Sequence, residues 1–368
     1  MLSKRDIRLD IIRIFSLFCI ISVHFLLNSG FYQEIVDGKR MLFMCIIRSL
    51  FIICVPMFIT LSGYLLNKKE LSKKYYKGLI DIILIYIICS LLYFVFKYFY
   101  FNNISSFNIF IEDLLSFKGT RYAWYIELYI GLFLLIPFLN LIFNNLKNKK
   151  QAKILLITLL VLSGIPNIIN IFNFSSMSWW ANPAFDNDYF KILPSWWISI
   201  YPLFYYFLGA YLSKYKININ TKLNILLIFI VIILDGIFNY YRANGAYFIS
   251  ASWNDYSSAL VMLKTFLIFN LFLKINIKIK SKSLNIFFKT LSNACLCAYL
   301  TSGIFDTIYY NFLNTSVPII KERFIYAPLI VTCVFISSLA LGILINFLYE
   351  SLKKLYYNLN IKVLNFKN

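Results

Sequence analysis

Apolar runs of bilayer length recur along the whole chain, and no other feature narrows its fold as much. A membrane-spanning helix needs about 20 apolar residues. Ten stretches are candidates, at about 10–29, 44–66, 79–100, 122–143, 153–172, 196–212, 223–241, 256–273, 286–306 and 325–349. The expected fold is therefore all-α, a polytopic transmembrane helical bundle of about ten spans. Composition agrees: 60% of the 368 residues are hydrophobic and only 14% are charged, against about 25% charged in soluble domains.

The formal charge of +20 is distributed as a topology signal. The basic residues form short clusters between apolar runs, so nucleic acid is not an expected partner and the lipid bilayer is. The N-terminal segment, the even-numbered connections and the C-terminal segment hold 24 Lys and Arg, and the odd-numbered connections hold 8. That alternation predicts both termini on the cytoplasmic side of a multi-pass protein of the plasma membrane. Residues 1–350 read as a single transmembrane domain and 351–368 as a basic cytoplasmic tail. The first run follows Lys4, Arg5 and Arg8 like a signal peptide, but no small-x-small cleavage site follows it, so it is expected to be retained.

The seven cysteines lie in or beside apolar runs, without CxxC or Cys/His ligand spacing. Neither a disulfide framework nor a metal site is expected. The odd-numbered connections hold half of the 16 acids. The longest, residues 173–197, combines four tryptophans with Asp186 and Asp188. Trp179 and Trp180 fit an interfacial aromatic belt. That is the favoured reading; the sharper alternative is a carbohydrate platform, where rings stack on sugar C–H faces and carboxylates take the hydroxyls.

Ionisable residues at membrane depth are costly and point to function by default. Here they are Asp10, Arg13 and His24 in the first run, then Arg48, Asp81, Glu127, Asp235, Lys264 and Asp306. His24 is the only histidine. Arg13 and His24 are eleven residues apart, three helical turns plus about 20°, so they share one helix face roughly 16 Å apart. Asp10, one turn before Arg13, is placed to pair with it. The alternative is a snorkelling Arg13 and a His24 hydrogen-bonded between helices.

The first run, "RLDIIRIFSLFCIISVH", resembles the signature of the acyltransferase 3 family of integral-membrane O-acyltransferases, with Arg13 and His24 at its spacing. "RSLFIICVPMFITLSGYLL" resembles a second family segment through Arg48, Pro56, Phe58, Ser62, Gly63 and Tyr64. "YAWYIELYIGLFLLIPFLN", which contains Trp124, and "YYFLGAYLSKY" resemble two more. One departure is Ser302, which stands where many members carry a ninth-span histidine; Asp306, one turn further, offers a carboxylate instead.

The resemblance implies acyl transfer from a cytosolic acyl-CoA, acetyl-CoA by default, to a carbohydrate hydroxyl, with no bound cofactor. His24 is then the general base or an acyl carrier, oriented by Glu127 or Asp306. Arg13, supported by Asp10, is expected to position the donor together with Lys73, Lys74 and Lys77, which also serve as topology signal. Arg48 is expected either to stabilise the developing oxyanion or to pair with an acid. Trp124, Trp179, Trp180, Asp186 and Asp188 are the expected acceptor contacts. The competing class is a transporter or flippase of a lipid-linked sugar, against which the lack of an inverted pair of broken spans weighs.

Overall fold

The computed structural model describes residues 5–101, 106–186, 188–277 and 281–365, with 356–365 described by backbone alone. Lys4, Lys278, Lys280 and Lys367 of the charge count lie outside these residues. Helices follow one another as α1 Ile7–Asn28, α2 Gly38–Phe51, α3 Cys54–Leu66, α4 Lys73–Phe101, α5 Phe107–Leu115, α6 Trp124–Asn144, α7 Lys149–Ser163 and α8 Pro166–Ile169. They continue as α9 Met177–Ala181, α10 Tyr201–Lys214, α11 Thr221–Ala243, α12 Ala259–Lys274, α13 Lys282–Ser316, α14 Ile320–Arg323 and α15 Ala327–Asn365. Among the described residues no strand forms, only two isolated bridges, Ile35 with Tyr247 and Val36 with Asn244.

Side-chain oxygens start many of the helices by accepting otherwise unpaired backbone N–H groups. Asp6 does so for α1, Asn148 for α7, Asn220 for α11, Ser258 for α12 and Ser281 for α13. The Arg8 guanidinium hydrogen-bonds the Asp6 carboxyl and holds it below its ordinary pKa. Proline sets the breaks. Pro56 has no N–H to give the Ile52 carbonyl, and α2 ends at Phe51 just before it. Gly164 and Pro166 separate α7 from α8 in the same way.

Among the described residues, six segments are long and apolar enough to cross a membrane: Ile7–Gln33, Gly38–Leu66, Lys73–Phe101, Trp124–Asn144, Thr221–Ala243 and Ile320–Leu355. The other four expected spans fall short of that description. Helices α7, α10 and α12 have 15, 14 and 16 residues, so each reaches only about 21–24 Å against a core of about 30 Å. Helix α13 has 35 residues but spends its inner face on polar groups, with Ser292, Thr301, Ser302 and Asp306 buried.

Helix α1 is central and packs against α2, α3, α12, α13 and α15. The closest helix pairs meet through glycine. A Cβ on Gly63 of α3 would lie 1.9 Å from the Tyr206 carbonyl oxygen of α10, and one on Gly209 of α10 would lie 1.9 Å from that of Thr60. The S-G-Y-L-L and L-G-A-Y segments are thus the two faces of one backbone-to-backbone crossing. Gly236 lets α11 approach Ile46 of α2, and Gly342 lets α15 approach Ala298 of α13. Helix α4 is the outlying element; Ile80, Leu84, Ile87 and Leu91 are exposed on it, as a lipid-facing helix requires.

Candidate functional site

His24 lies in the last two turns of α1 and is buried. Its Nδ1 is 3.3 Å from Asp306 Oδ2 on α13. The contact has ion-pair distance without hydrogen-bond geometry, so the buried Nδ1 makes no hydrogen bond, and neither does Asp306 Oδ1. Tyr122 completes the cluster from the segment just before α6. Its ring stacks on the imidazole, with centroids 3.6 Å apart and planes at 23°. Its hydroxyl donates to Asp306 Oδ2 at 2.7 Å and accepts from Asn28 Nδ2 at 3.0 Å. Asn28 also donates to the His24 carbonyl at 2.8 Å. The Tyr299 hydroxyl donates to the Tyr122 carbonyl and fixes that segment against α13. A ring held on one face by Tyr122, with a carboxylate at Nδ1, is restricted in orientation; among the described residues Nε2 has no hydrogen-bond partner.

Arg13 sits three turns earlier on the same helix and lines a cavity of about 460 Å³. The cavity lies among α1, α3, α4, α6, α13 and α15, with Arg13, Ser292 and Glu350 on its wall together with Tyr125, Tyr129 and Tyr299. Arg13 Nη1 donates to Ser292 Oγ at 2.9 Å. Ile20 also lines it, and His24 follows Ile20 by one turn, about 6 Å along the axis. The shared face expected for Arg13 and His24 therefore runs from the cavity wall to the histidine cluster. Leu65 and Leu66 line it too. The turn after them is pinned by Asn140, which donates to the Leu66 and Lys69 carbonyls. Lys73, Lys74 and Lys77 follow, exposed on the first turns of α4.

Several expected placements are corrected. Asp10 does not pair with Arg13; Arg5 folds back over the start of α1 and holds both Asp10 oxygens, at 2.7 and 2.6 Å, while Arg13 turns to α13. Glu127 points outward from the first turn of α6, so of the two candidate carboxylates Asp306 alone stands beside His24. Arg48 is buried but bonded to neutral groups, the Tyr32 hydroxyl and the Asn254 carbonyl, each at 2.9 Å, and lies 4.6 Å over the Phe248 ring. No carboxylate among the described residues bonds it, and none of these contacts reaches the His24 cluster.

The aromatic loop is also rearranged relative to expectation. Trp179 is 0% exposed and offers no face to a sugar. Trp180 is part-exposed and stacks on Phe172, and Trp124 is part-exposed and stacks on Tyr256. The most open ring of the loop is Trp196, 88% exposed. Asp186 is occupied by the Ser176 and Ser178 hydroxyls and by the Asp188 backbone N–H, and Asp188 itself is exposed.

Tyr122 and Asn28 went unassigned in the sequence. Asn28 had a signal: it follows His24 by four residues and therefore shares its face. Tyr122 had none of that kind, because it precedes its helix and reaches the cluster through tertiary packing. A second buried ionisable group joins residues that sequence left separate. Lys264 Nζ on α12 is 2.5 Å from Asp235 Oδ2 on α11 and also bonds Ser49 of α2.

Comparison with known proteins agrees with the motif resemblance. The acyltransferase 3 family model, described as an acyltransferase domain, matches residues 6–347. Proteins of Staphylococcus aureus strains MSSA476, MW2 and N315, each named "Probable poly-beta-1,6-N-acetyl-D-glucosamine export protein", are 29% identical over 269 residues, 68% of either chain. No solved structure matches. With its motifs on adjoining helices and a family match across nearly its whole length, the chain belongs to the acyltransferase 3 family.

Proposed function

We propose that the protein is a multi-pass O-acyltransferase of the plasma membrane, moving an acetyl or other short acyl group from cytosolic acyl-CoA to a hydroxyl of a cell-surface polysaccharide or its lipid-linked precursor. In this reading about ten segments traverse the bilayer and both termini are cytoplasmic. One observation carries it: a histidine against a carboxylate and a tyrosine, one helical turn beyond a cavity with an arginine on its wall. The donor enters that cavity with its phosphates towards Arg13 and the exposed Lys73, Lys74 and Lys77, and its thioester reaches towards His24. Asp10 acts at one remove, by holding Arg5 at the start of α1.

His24 accepts the proton of the acceptor hydroxyl as that oxygen attacks the thioester carbonyl. Asp306 stabilises the imidazolium, and the proton passes to the departing thiolate of CoA. A stepwise route through an acyl-imidazole uses the same groups. The acceptor approaches past Trp124, Trp180 and Asp188. Asp186 and Trp179 shape that loop from within.

The test compares surface glycans, by mass spectrometry, from cells carrying the native chain and His24→Ala. The expected result is loss of the acyl substituent with normal membrane levels of the variant; unchanged acylation would remove His24 from the chemistry. The relatives' printed name favours a second reading, export of a lipid-linked sugar. Under that reading His24→Ala cells keep partial export and membranes containing the native chain consume no acyl-CoA.

A further inference from the structure

Arg242, in the last turn of α11, is buried to 1% exposure beneath the 173–197 loop. Its guanidinium carbon lies 4.8 Å from the ring centroids of both Trp179 and Trp253, and 5.6 Å from that of Tyr189. These contacts stabilise the cation through its faces. Its edges are a separate matter. Nη1 donates to the Pro183 carbonyl at 3.2 Å, but Nε and Nη2 have no hydrogen-bond partner. The indole N–H groups of Trp179 and Trp253 are likewise buried and unpaired.

Every unpaired group in this cluster is a donor. A buried guanidinium with one backbone acceptor and two unpaired nitrogens is incompletely compensated, and each unpaired indole N–H adds to that deficit. The Nε and Nη2 hydrogens point the same way and form the side-on fork that takes a carboxylate through two parallel bonds. The nearest acid of the loop, Asp186, acts on Arg242 only through its field, because its oxygens are taken by Ser176, Ser178 and the Asp188 N–H. The Tyr189 hydroxyl oxygen faces the guanidinium as a weak acceptor short of hydrogen-bond geometry, which leaves its own O–H free to donate.

We infer that Arg242, Trp179 and Trp253 form a binding site for a carboxylate, carried by a small acid or by an acidic sugar, beneath the 173–197 loop. The site stands apart from the His24 cluster and does not depend on acyl transfer. It gives the two buried aromatic residues of this region a role other than sugar stacking: their faces hold the guanidinium and their N–H edges serve the ligand.

The test uses the full chain in lipid nanodiscs and isothermal calorimetry at constant ionic strength in sodium chloride. Sodium acetate, sodium glucuronate and glucose are the probes. Saturable binding of glucuronate without glucose is expected. Acetate binding as well identifies any small carboxylate as sufficient, and its absence identifies an acidic sugar. Arg242→Lys keeps the charge without the fork and should weaken binding by about tenfold. Trp179→Phe with Trp253→Phe keeps the ring faces, removes two neutral donors, and should weaken it by about threefold. If Arg242→Lys fails to fold, the tryptophan variant decides alone. No saturable binding, equal binding of glucose, or variants that bind like the native chain would overturn the site.

Discussion

Two of the buried clusters of ionisable side chains, around Lys264 and around His24, differ in how completely their charged groups are paired. Around Lys264, the ammonium bonds Asp235, the Ser49 hydroxyl and the Ser49 carbonyl, while Asp235 also accepts from Ser49 at 2.6 Å and from Asn239 at 3.1 Å. Three helices, α2, α11 and α12, are joined there, and neither charged group has an unpaired atom among the described residues. Around His24 the pairing is incomplete: Nδ1 and Asp306 Oδ1 are buried without hydrogen bonds, although the two residues are in contact. A network whose charged groups are fully paired fixes structure, and any rearrangement of it breaks several bonds at once. An unsaturated one has capacity left for a proton and a partner, which general base catalysis requires.

The widest separation between the clusters should come from His24→Gln. Turnover of acyl-CoA by purified protein is expected to fall about a thousandfold, with a thermal unfolding midpoint in the same detergent close to that of the native chain. A large drop in midpoint would instead make His24 a structural residue and remove the contrast. The Lys264 cluster should behave in the opposite way. Asp235→Asn or Lys264→Met alone leaves a buried partner uncompensated and should cost about 3 kcal/mol of stability. The double variant should recover much of that, since it removes both charges together, and activity per folded molecule should survive. Single variants as stable as the native chain would show that the pair holds nothing together.

The sequence revealed the first helix far better than it revealed the partners of that helix. Arg13 and His24 share a face because helical period alone puts them there, and α1 obeys that period from Ile7 to Asn28. Span boundaries were less legible, because hydropathy averages across the residues that end helices. The run 153–172 contains Gly164 and Pro166, where α7 stops, and the run 286–306 lies in a helix whose polar face is turned inward. Glycines 63 and 209 were visible within family-like segments, but that they face each other depends on a crossing between distant parts of the chain. The tryptophan loop misled for a related reason. An indole reads as equally apolar whether it stands exposed, as Trp196 does, or lies under a guanidinium, as Trp179 does. Arg242 was counted only as a loop charge, and its burial arises from packing that no local pattern encodes.

The smallest expected effect tests whether incomplete pairing at His24 is adjustable or fixed. Tyr122→Phe keeps the ring that stacks on the imidazole but removes the hydroxyl that links Asn28 to Asp306. Stability should fall by about 1 kcal/mol, the worth of a buried hydrogen bond. Asp306 Oδ2 would then be free to draw the imidazole into a true hydrogen bond, since the two residues already touch. If the cluster adjusts in this way, turnover falls by no more than about tenfold, because the base keeps its carboxylate. A loss as deep as that of His24→Gln would mean that the hydroxyl itself positions Asp306, and that stacking alone cannot hold the imidazole where the reaction needs it.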